Sequence, residues 1–299
     1  MSEISRRSFL AGVGAVGAHV IAAAAPLTRV APADTIRLGY AAITWGGQDE
    51  QAIEEIAAVG FKAIQLRSTA VDKFGAHPET LRDLLVHHHL KMAVLSSGNL
   101  SIDPAAEERQ LELHTSHAQF VKSVGGEYLQ VIDERPKGRA IVAEDYTRLG
   151  RLMTELGRRT AAIGVPLVYH HHMNSLGEQP EEIDAILNAA DPKSVALLFD
   201  IAHYQQGGGD PVAAIRRYRD RIRVVHLKDV EKTAAAPGYR WVALGRGRVN
   251  VKGCVSALRD GGFNGWAIVE LDRAMEPETP KAAAVANREY VTKQLGLTL

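Results

Sequence analysis

From Asp34 to the C-terminus, short β-rich apolar runs alternate with amphipathic stretches eight times over, and this alternation leaves few folds open. The strand candidates are Ile36–Ile43, Phe61–Leu66, Lys91–Ser96, Tyr128–Ile132, Pro166–His170, Val195–Asp200, Arg223–Leu227 and Trp266–Leu271. They are apolar on both faces, as parallel strands covered by helices are. Between them lie the helical candidates Glu50–Val59, Pro78–His89, Pro104–Val124, Ala143–Ile163, Pro180–Ala190, Pro211–Tyr218 and Val251–Asp260, with Pro280–Leu295 after the last strand. Pro78, Pro104, Pro180 and Pro211 mark helix starts, and Gly60, Gly125, Gly164 and Gly261 mark stops. Eight such units in this length predict an α/β chain folded as a single (β/α)8 TIM barrel. A doubly wound sheet is the competing architecture, but no G-x-G-x-x-G opens a helix after the first strand.

Residues 1–33 are read separately. Arg6-Arg7 precedes an apolar, Gly- and Ala-rich run from Leu10 to Ala25, and A-x-A sites end at Ala24, Ala25 and Ala33. This resembles a twin-arginine signal peptide, with residues 34–299 as the mature domain. The run is too short and too diluted by Gly12, Gly14, Gly17 and His19 for a transmembrane anchor. The expectation is an exported, periplasmic protein with no stable membrane anchor after signal removal. The 35 basic and 35 acidic residues balance, so no basic face predicts nucleic-acid binding. One cysteine, Cys254, excludes an intrachain disulfide and a cysteine-based zinc cluster. Chemistry is therefore sought among histidines and carboxylates.

In a barrel of this kind, function sits where the strands end. The fifth strand candidate runs into Tyr169-His170-His171-His172-Met173 and the sixth into Asp200-Ile201-Ala202-His203. The seventh carries His226-Leu227-Lys228-Asp229, and the eighth Glu270-Leu271-Asp272. Neighbouring strands lie under about 5 Å apart, so side chains on four successive ends can converge on one ion. A mixed nitrogen and oxygen set suits Mn²⁺, with Co²⁺, Zn²⁺ or Mg²⁺ as alternatives. Alternation puts His170 and His172 on one face and His171 on the other, packed under a helix. His87-His88-His89 falls at the opposite face as a solvated tract, and Glu127 lies at the wrong end of its strand. His114 and His117 sit on a helix outside the barrel, exposed or structural.

These strand ends are similar to those of the xylose isomerase-like TIM barrels, the sugar phosphate isomerase/epimerase type. That family binds a divalent cation through Glu, Asp, His and Glu on strands five to eight. The resemblance carries over Asp200 in LLFDIAH, His226 in VVHLKD and Glu270 in AIVEL, and Ala243–Asn250 resembles its Gly-rich stretch. His170 stands where the family has Glu, which makes it the favoured fourth ligand, with His172 as the other strand-five candidate. YHHHM and Ala42-Ile43-Thr44-Trp45 look most like the inosose dehydratase branch.

In that family's epimerases the strand-five and strand-eight Glu residues are opposed proton-transfer groups, so the resemblance implies that His170 in place of one points away from epimerisation and toward elimination. The expected activity is a divalent-metal-dependent lyase (dehydration or β-elimination via an enediolate) on a keto-sugar, keto-glycoside or keto-cyclitol. His172, His203 and Glu270 are the candidate bases; Trp45, Lys228, Arg246 and Arg248 are the candidate substrate contacts. A metal-dependent sugar isomerase/epimerase is the alternative. A non-catalytic exported barrel that binds sugar or metal is the second, and it has no need of the histidines that can transfer protons. Oligomeric state is left open.

Overall fold

A computed structural model describes residues 36–299; the signal-peptide expectation for residues 1–33 lies outside the described residues. Ten strands and ten α-helices follow one another among the described residues. The strands are β1 (Ile36–Ala41), β2 (Ala63–Arg67), β3 (Lys91–Leu100), β4 (Tyr128–Asp133), β5 (Leu167–His170), β6 (Val195–Asp200), β7 (Ile222–Leu227), β8 (Asp229–Lys232), β9 (Tyr239–Val242) and β10 (Gly265–Val269). The helices are α1 (Asp49–Val59), α2 (Thr69–Phe74), α3 (Pro78–His87), α4 (Glu107–Val124), α5 (Ala143–Ile163), α6 (Pro180–Ala189), α7 (Ile201–Gln206), α8 (Pro211–Tyr218), α9 (Val251–Asp260) and α10 (Pro280–Glu289).

Eight strands close a parallel barrel in the order β1-β10-β7-β6-β5-β4-β3-β2, so the fold is the (β/α)8 TIM barrel. β8 and β9 form a separate antiparallel hairpin inserted after β7, and β10 is therefore the eighth barrel strand. The sequence pattern misses this hairpin and the short helices α2 and α7, because each is under seven residues and shows less than two turns of periodicity. No helix among the described residues is long and apolar enough to cross a membrane.

The barrel interior is filled by Ala63, Ala93, Val94, Val168, Leu198, Val224 and Ile268, with Trp266 in the same cluster. Glu127 accepts the Trp266 indole N–H at 2.7 Å, and Arg37 lies 4.1 Å over that ring. Both partners sit at the strand starts, so this end is plugged and the opposite end carries the polar strand ends. Each helix buries an apolar stripe on the outer faces of the strands, as Ile183, Ile186 and Leu187 do on α6.

His114 and His117 on α4 are structural and buried. Both direct Nδ1 at Ser97 Oγ on β3, at 2.6 and 2.7 Å. Burial holds the His114 pKa down to about 4 and lowers that of His117. In the unfolded chain each takes up a proton near pH 6.5. The unfolded state thus binds more protons between pH 6.5 and about 4, so stability falls as pH drops through that window and levels off below it. Denaturation of His114→Gln should show a shallower loss from pH 7 to 4 than the wild type, by up to about 1.4 kcal/mol per pH unit. Parallel pH profiles would contradict this assignment.

Candidate metal centre

Register sets the geometry of the open end. Asp200 closes β6 directly opposite His226 on β7, and His170 ends β5 opposite Leu198. Glu270 follows β10 and continues the ladder by donating its N–H to the Leu227 carbonyl at 3.0 Å. Four side chains from four adjacent strands therefore turn inward at nearly one level. His226 Nδ1 lies 3.3 Å from Asp200 Oδ2 and 3.5 Å from Glu270 Oε1. His170 Nε2 is 3.7 Å from the same Asp200 oxygen, and His203 Nε2 is 4.0 Å from it.

Asp200 divides its labour between its two oxygens. Oδ1 caps α7, accepting from the Ala202 and His203 N–H groups at 2.8 Å each. Oδ2 is buried without a hydrogen-bond partner, and so are His170 Nε2 and His226 Nδ1. Three unsatisfied polar atoms meeting beside a carboxylate fit a cation, since burying such atoms without a partner costs about 1–3 kcal/mol each. Burial would raise the Asp200 pKa, but the imidazoles and the Lys228 ammonium around it outweigh that and hold it well below the usual carboxylate range. Burial keeps His170 neutral, its pKa pushed down to about 4. Asp200, His226 and Glu270 offer one compact set of ligand atoms; His170, Asp200 and His203 offer a second that shares Asp200.

Lys228 is the fully buried cation of the site. Its Nζ donates to Glu270 Oε1 at 3.0 Å and to Asp272 Oδ1 at 2.5 Å, and it sits 4.5 Å from the Trp241 ring centroid. Burial opposes its charge, but Glu270, Asp272 and Asp200 together keep it protonated. Burial likewise works against the Glu270 charge, and His226 and Lys228 overcome it to bring that carboxyl down to about 2.

His172 is half-buried and lines the cleft; its Nδ1 donates to the Met173 carbonyl at 2.7 Å, which leaves the Nε2 lone pair uncommitted. His203 is the candidate base that does not reach the cleft. Its Nδ1 accepts the Met173 N–H at 3.1 Å, its Nε2 faces Lys228 Nζ at 3.3 Å, and its ring is flanked by His172 and Trp241. His171 packs on Phe199 and Tyr204 under α7, with Nε2 accepting the Asp200 N–H at 3.3 Å.

Three candidate substrate contacts are spent elsewhere. Trp45 is buried against Tyr40 and donates its indole N–H to Glu55 at 2.7 Å. Arg246 reaches Glu278 at 3.5 Å and Arg248 reaches Gln206 at 2.6 Å, both outside the cleft lining. The reason is the loop they ride on. Buried Asp229 gathers the N–H groups of Val230, Gly245, Gly247 and Val249, winding Ala243–Asn250 around its carboxylate and turning the arginines outward. A Cβ at Gly247 would fall on that carboxylate.

The cleft itself has a volume of about 200 Å³ and is lined by Arg67, Asn99, His170, His172, Glu270 and Asp272, among others. It adjoins a groove of about 900 Å³ through the shared Asn99, Ile132 and His172. Sequence reasoning passes over Gln65 and Gln130, which are buried inside the barrel at the same level. Their signal is an amide set between apolar neighbours in mid-strand, in AIQLR and YLQVID.

Residues 53–293 match the family described as xylose isomerase-like TIM barrel. An inosose dehydratase of Lacticaseibacillus casei is 28% identical over 302 residues, covering 88% of this chain and 98% of the relative. One of Geobacillus kaustophilus is 28% identical over 294 residues, covering 86% and 94%. Among solved structures, the IolI protein with a bound zinc atom superposes with a TM-score of 0.72 at 19% identity, covering 87% of this chain and 98% of that one. A probable 3-DHS dehydratase, AsbF, of Bacillus anthracis superposes with a TM-score of 0.71 at 17% identity, covering 86% and 99%. With four inward-facing strand ends of β5, β6, β7 and β10 on one closed parallel barrel, and a match spanning most of its length, the chain belongs to the xylose isomerase-like TIM barrel family.

Proposed function

We propose that this chain is a divalent-metal-dependent lyase that dehydrates, or eliminates a β-oxygen substituent from, a keto-cyclitol, keto-sugar or keto-glycoside. The observation that carries the reading is a mixed site: buried ligand atoms without partners, one cleft imidazole with a free lone pair, and one carboxylate tied to a buried lysine. The inosose dehydratases to which the chain is similar support a dehydration. Asp200, His226 and Glu270 would hold the ion, with His170 Nε2 facing the same point. Mn²⁺ is the proposed metal; the zinc in the IolI structure is consistent with a divalent ion.

A bound divalent ion supplies Lewis acidity toward the carbonyl and neighbouring hydroxyl of the substrate. His172 takes the α-C–H proton on Nε2 while the C–H electron pair forms an enediolate. As that pair moves into the α,β double bond, the β C–O bond breaks. The His172 imidazolium then returns its proton to the leaving oxygen, which departs as water or an alcohol. Glu270, held ionised by Lys228, is a weak base and supplies charge and position instead. Arg67, Asn99 and Asp272 line the cleft where hydroxyls must be oriented. A site with two opposed, basic carboxylates would suit reprotonation from either face; here only one base faces the cleft unencumbered.

Asp200→Ala, His226→Ala and Glu270→Ala should each bind less than about a tenth of the divalent ion per chain that the wild type holds, measured by elemental analysis after dialysis. Full occupancy in all three would overturn the metal centre.

His172→Asn should keep the ion while slowing α-proton exchange and elimination by about 10²–10⁴-fold. Deuterium wash-in and product NMR on inososes and 3-keto-glycosides report both steps. Epimer or aldose–ketose interconversion with no unsaturated product would assign the chain to isomerisation. Ligand binding without exchange on any substrate would assign it to a binding barrel.

Export through the twin-arginine pathway to the periplasm is part of the same proposal. Changing Arg6 and Arg7 together to Lys should leave the precursor in the cytoplasm on fractionation; unchanged export would refute it.

A further inference from the structure

Between the two inward-facing imidazoles of the barrel runs an unbroken relay of buried amides. His226 Nε2 lies 2.9 Å from Gln65 Oε1, and Gln65 Nε2 donates to Gln130 Oε1 at 3.1 Å. Gln130 Nε2 is 3.1 Å from His170 Nδ1 and 3.1 Å from Ser96 Oγ. A carboxamide has a donor end and an acceptor end, and a neutral imidazole has one N–H and one lone pair. The relay therefore has two polarities. In one, His226 donates from Nε2 and bares Nδ1, while His170 accepts on Nδ1 and carries its proton on Nε2. In the other, both amides turn over and both tautomers exchange. In either case one histidine presents a lone pair to the site and the other presents an N–H. Breaking the rule requires two amide NH₂ groups, or two amide oxygens, to face each other inside the barrel.

Placement selects the polarity. His226 Nδ1 sits nearest both carboxylates, at 3.3 and 3.5 Å, and the residue does not line the cleft. His170 does line the cleft, and its Nε2 lies farther from Asp200 Oδ2, at 3.7 Å. We propose that His170 is not a ligand of the ion but a fixed N–H donor aimed at substrate oxygen, and that Asp200, His226 and Glu270 are the protein ligands. This rests on the metal-centre reading above and assigns the imidazole that replaces the family's glutamate a different task. An N–H at that point stabilises negative charge developing on a substrate oxygen, which a carboxylate there would oppose.

The test loads the full chain, labelled with ¹⁵N-histidine, with ¹¹³Cd²⁺ and reads one-bond cadmium–nitrogen coupling. One coupled imidazole is expected, retained in His170→Gln and lost in His226→Gln, while a second ring keeps a protonated Nε2 in the presence of metal. Where His226→Gln does not fold, retention of the single coupling in His170→Gln suffices. Isothermal titration of the same variants with Mn²⁺ should give a Kd within about threefold of wild type for His170→Gln. Two coupled imidazoles, or a single coupling lost in His170→Gln, overturns the inference and leaves the metal centre standing. No cadmium bound by the wild type overturns both.

Discussion

A carboxylate buried with one oxygen committed and the other bare is the constraint around which this site is arranged. Asp200 sits at the junction of β6 and α7, and its Oδ1 does the ordinary work of a helix cap. That bond fixes the side-chain torsion and leaves Oδ2 nowhere to point but into the barrel. An isolated buried carboxylate would take up a proton, because desolvation disfavours its charged form. Here imidazoles from three directions and the Lys228 ammonium keep it ionised. The negative charge is thus maintained where a cation would use it.

Lys228 offsets part of the remaining charge. It pairs with both Glu270 and Asp272 from within, and it closes the site on the side of the hairpin through Trp241 and His203. Removing one partner of a buried charge pair costs about 3–5 kcal/mol, so the lysine also ties the β7 and β10 ends together. The hairpin β8–β9 supplies Trp241 and Asp229, and Asp229 in turn organises the glycine-rich loop. An insertion that is peripheral to the barrel therefore decides what covers the polar end and where Arg246 and Arg248 go.

Much of the site was legible because a parallel barrel converts strand ends into a ring. Once eight strands are recognised, His170, Asp200, His226 and Glu270 must lie at the same rim, and the register bears this out by setting Asp200 opposite His226. The strand boundaries differ from expectation by a few residues at most, with β3 extending to Leu100 beyond Ser96. Lys228 was legible as a neighbour of His226, though its complete burial was not. Gln65 and Gln130 sit mid-strand between apolar neighbours, and nothing in local spacing links them to histidines 161 and 40 residues away.

What the sequence by itself determined is the architecture and the inventory. Periodicity fixes the eight barrel strands and the longer helices, and the strand-end residues fix which donor atoms can gather, because both depend on local pattern and on the closure of the barrel. Tertiary structure alone decided which nitrogen of each histidine faces the cluster around Asp200, which candidate base reaches the cleft, and which candidate contacts are lost to packing. Trp45 and His203 read from sequence like Lys228 and His172, but the first two are spent on Glu55 and on Met173 and Lys228. Those outcomes turn on pairings across many residues of chain, where a ring's free nitrogen depends on what its other nitrogen already holds.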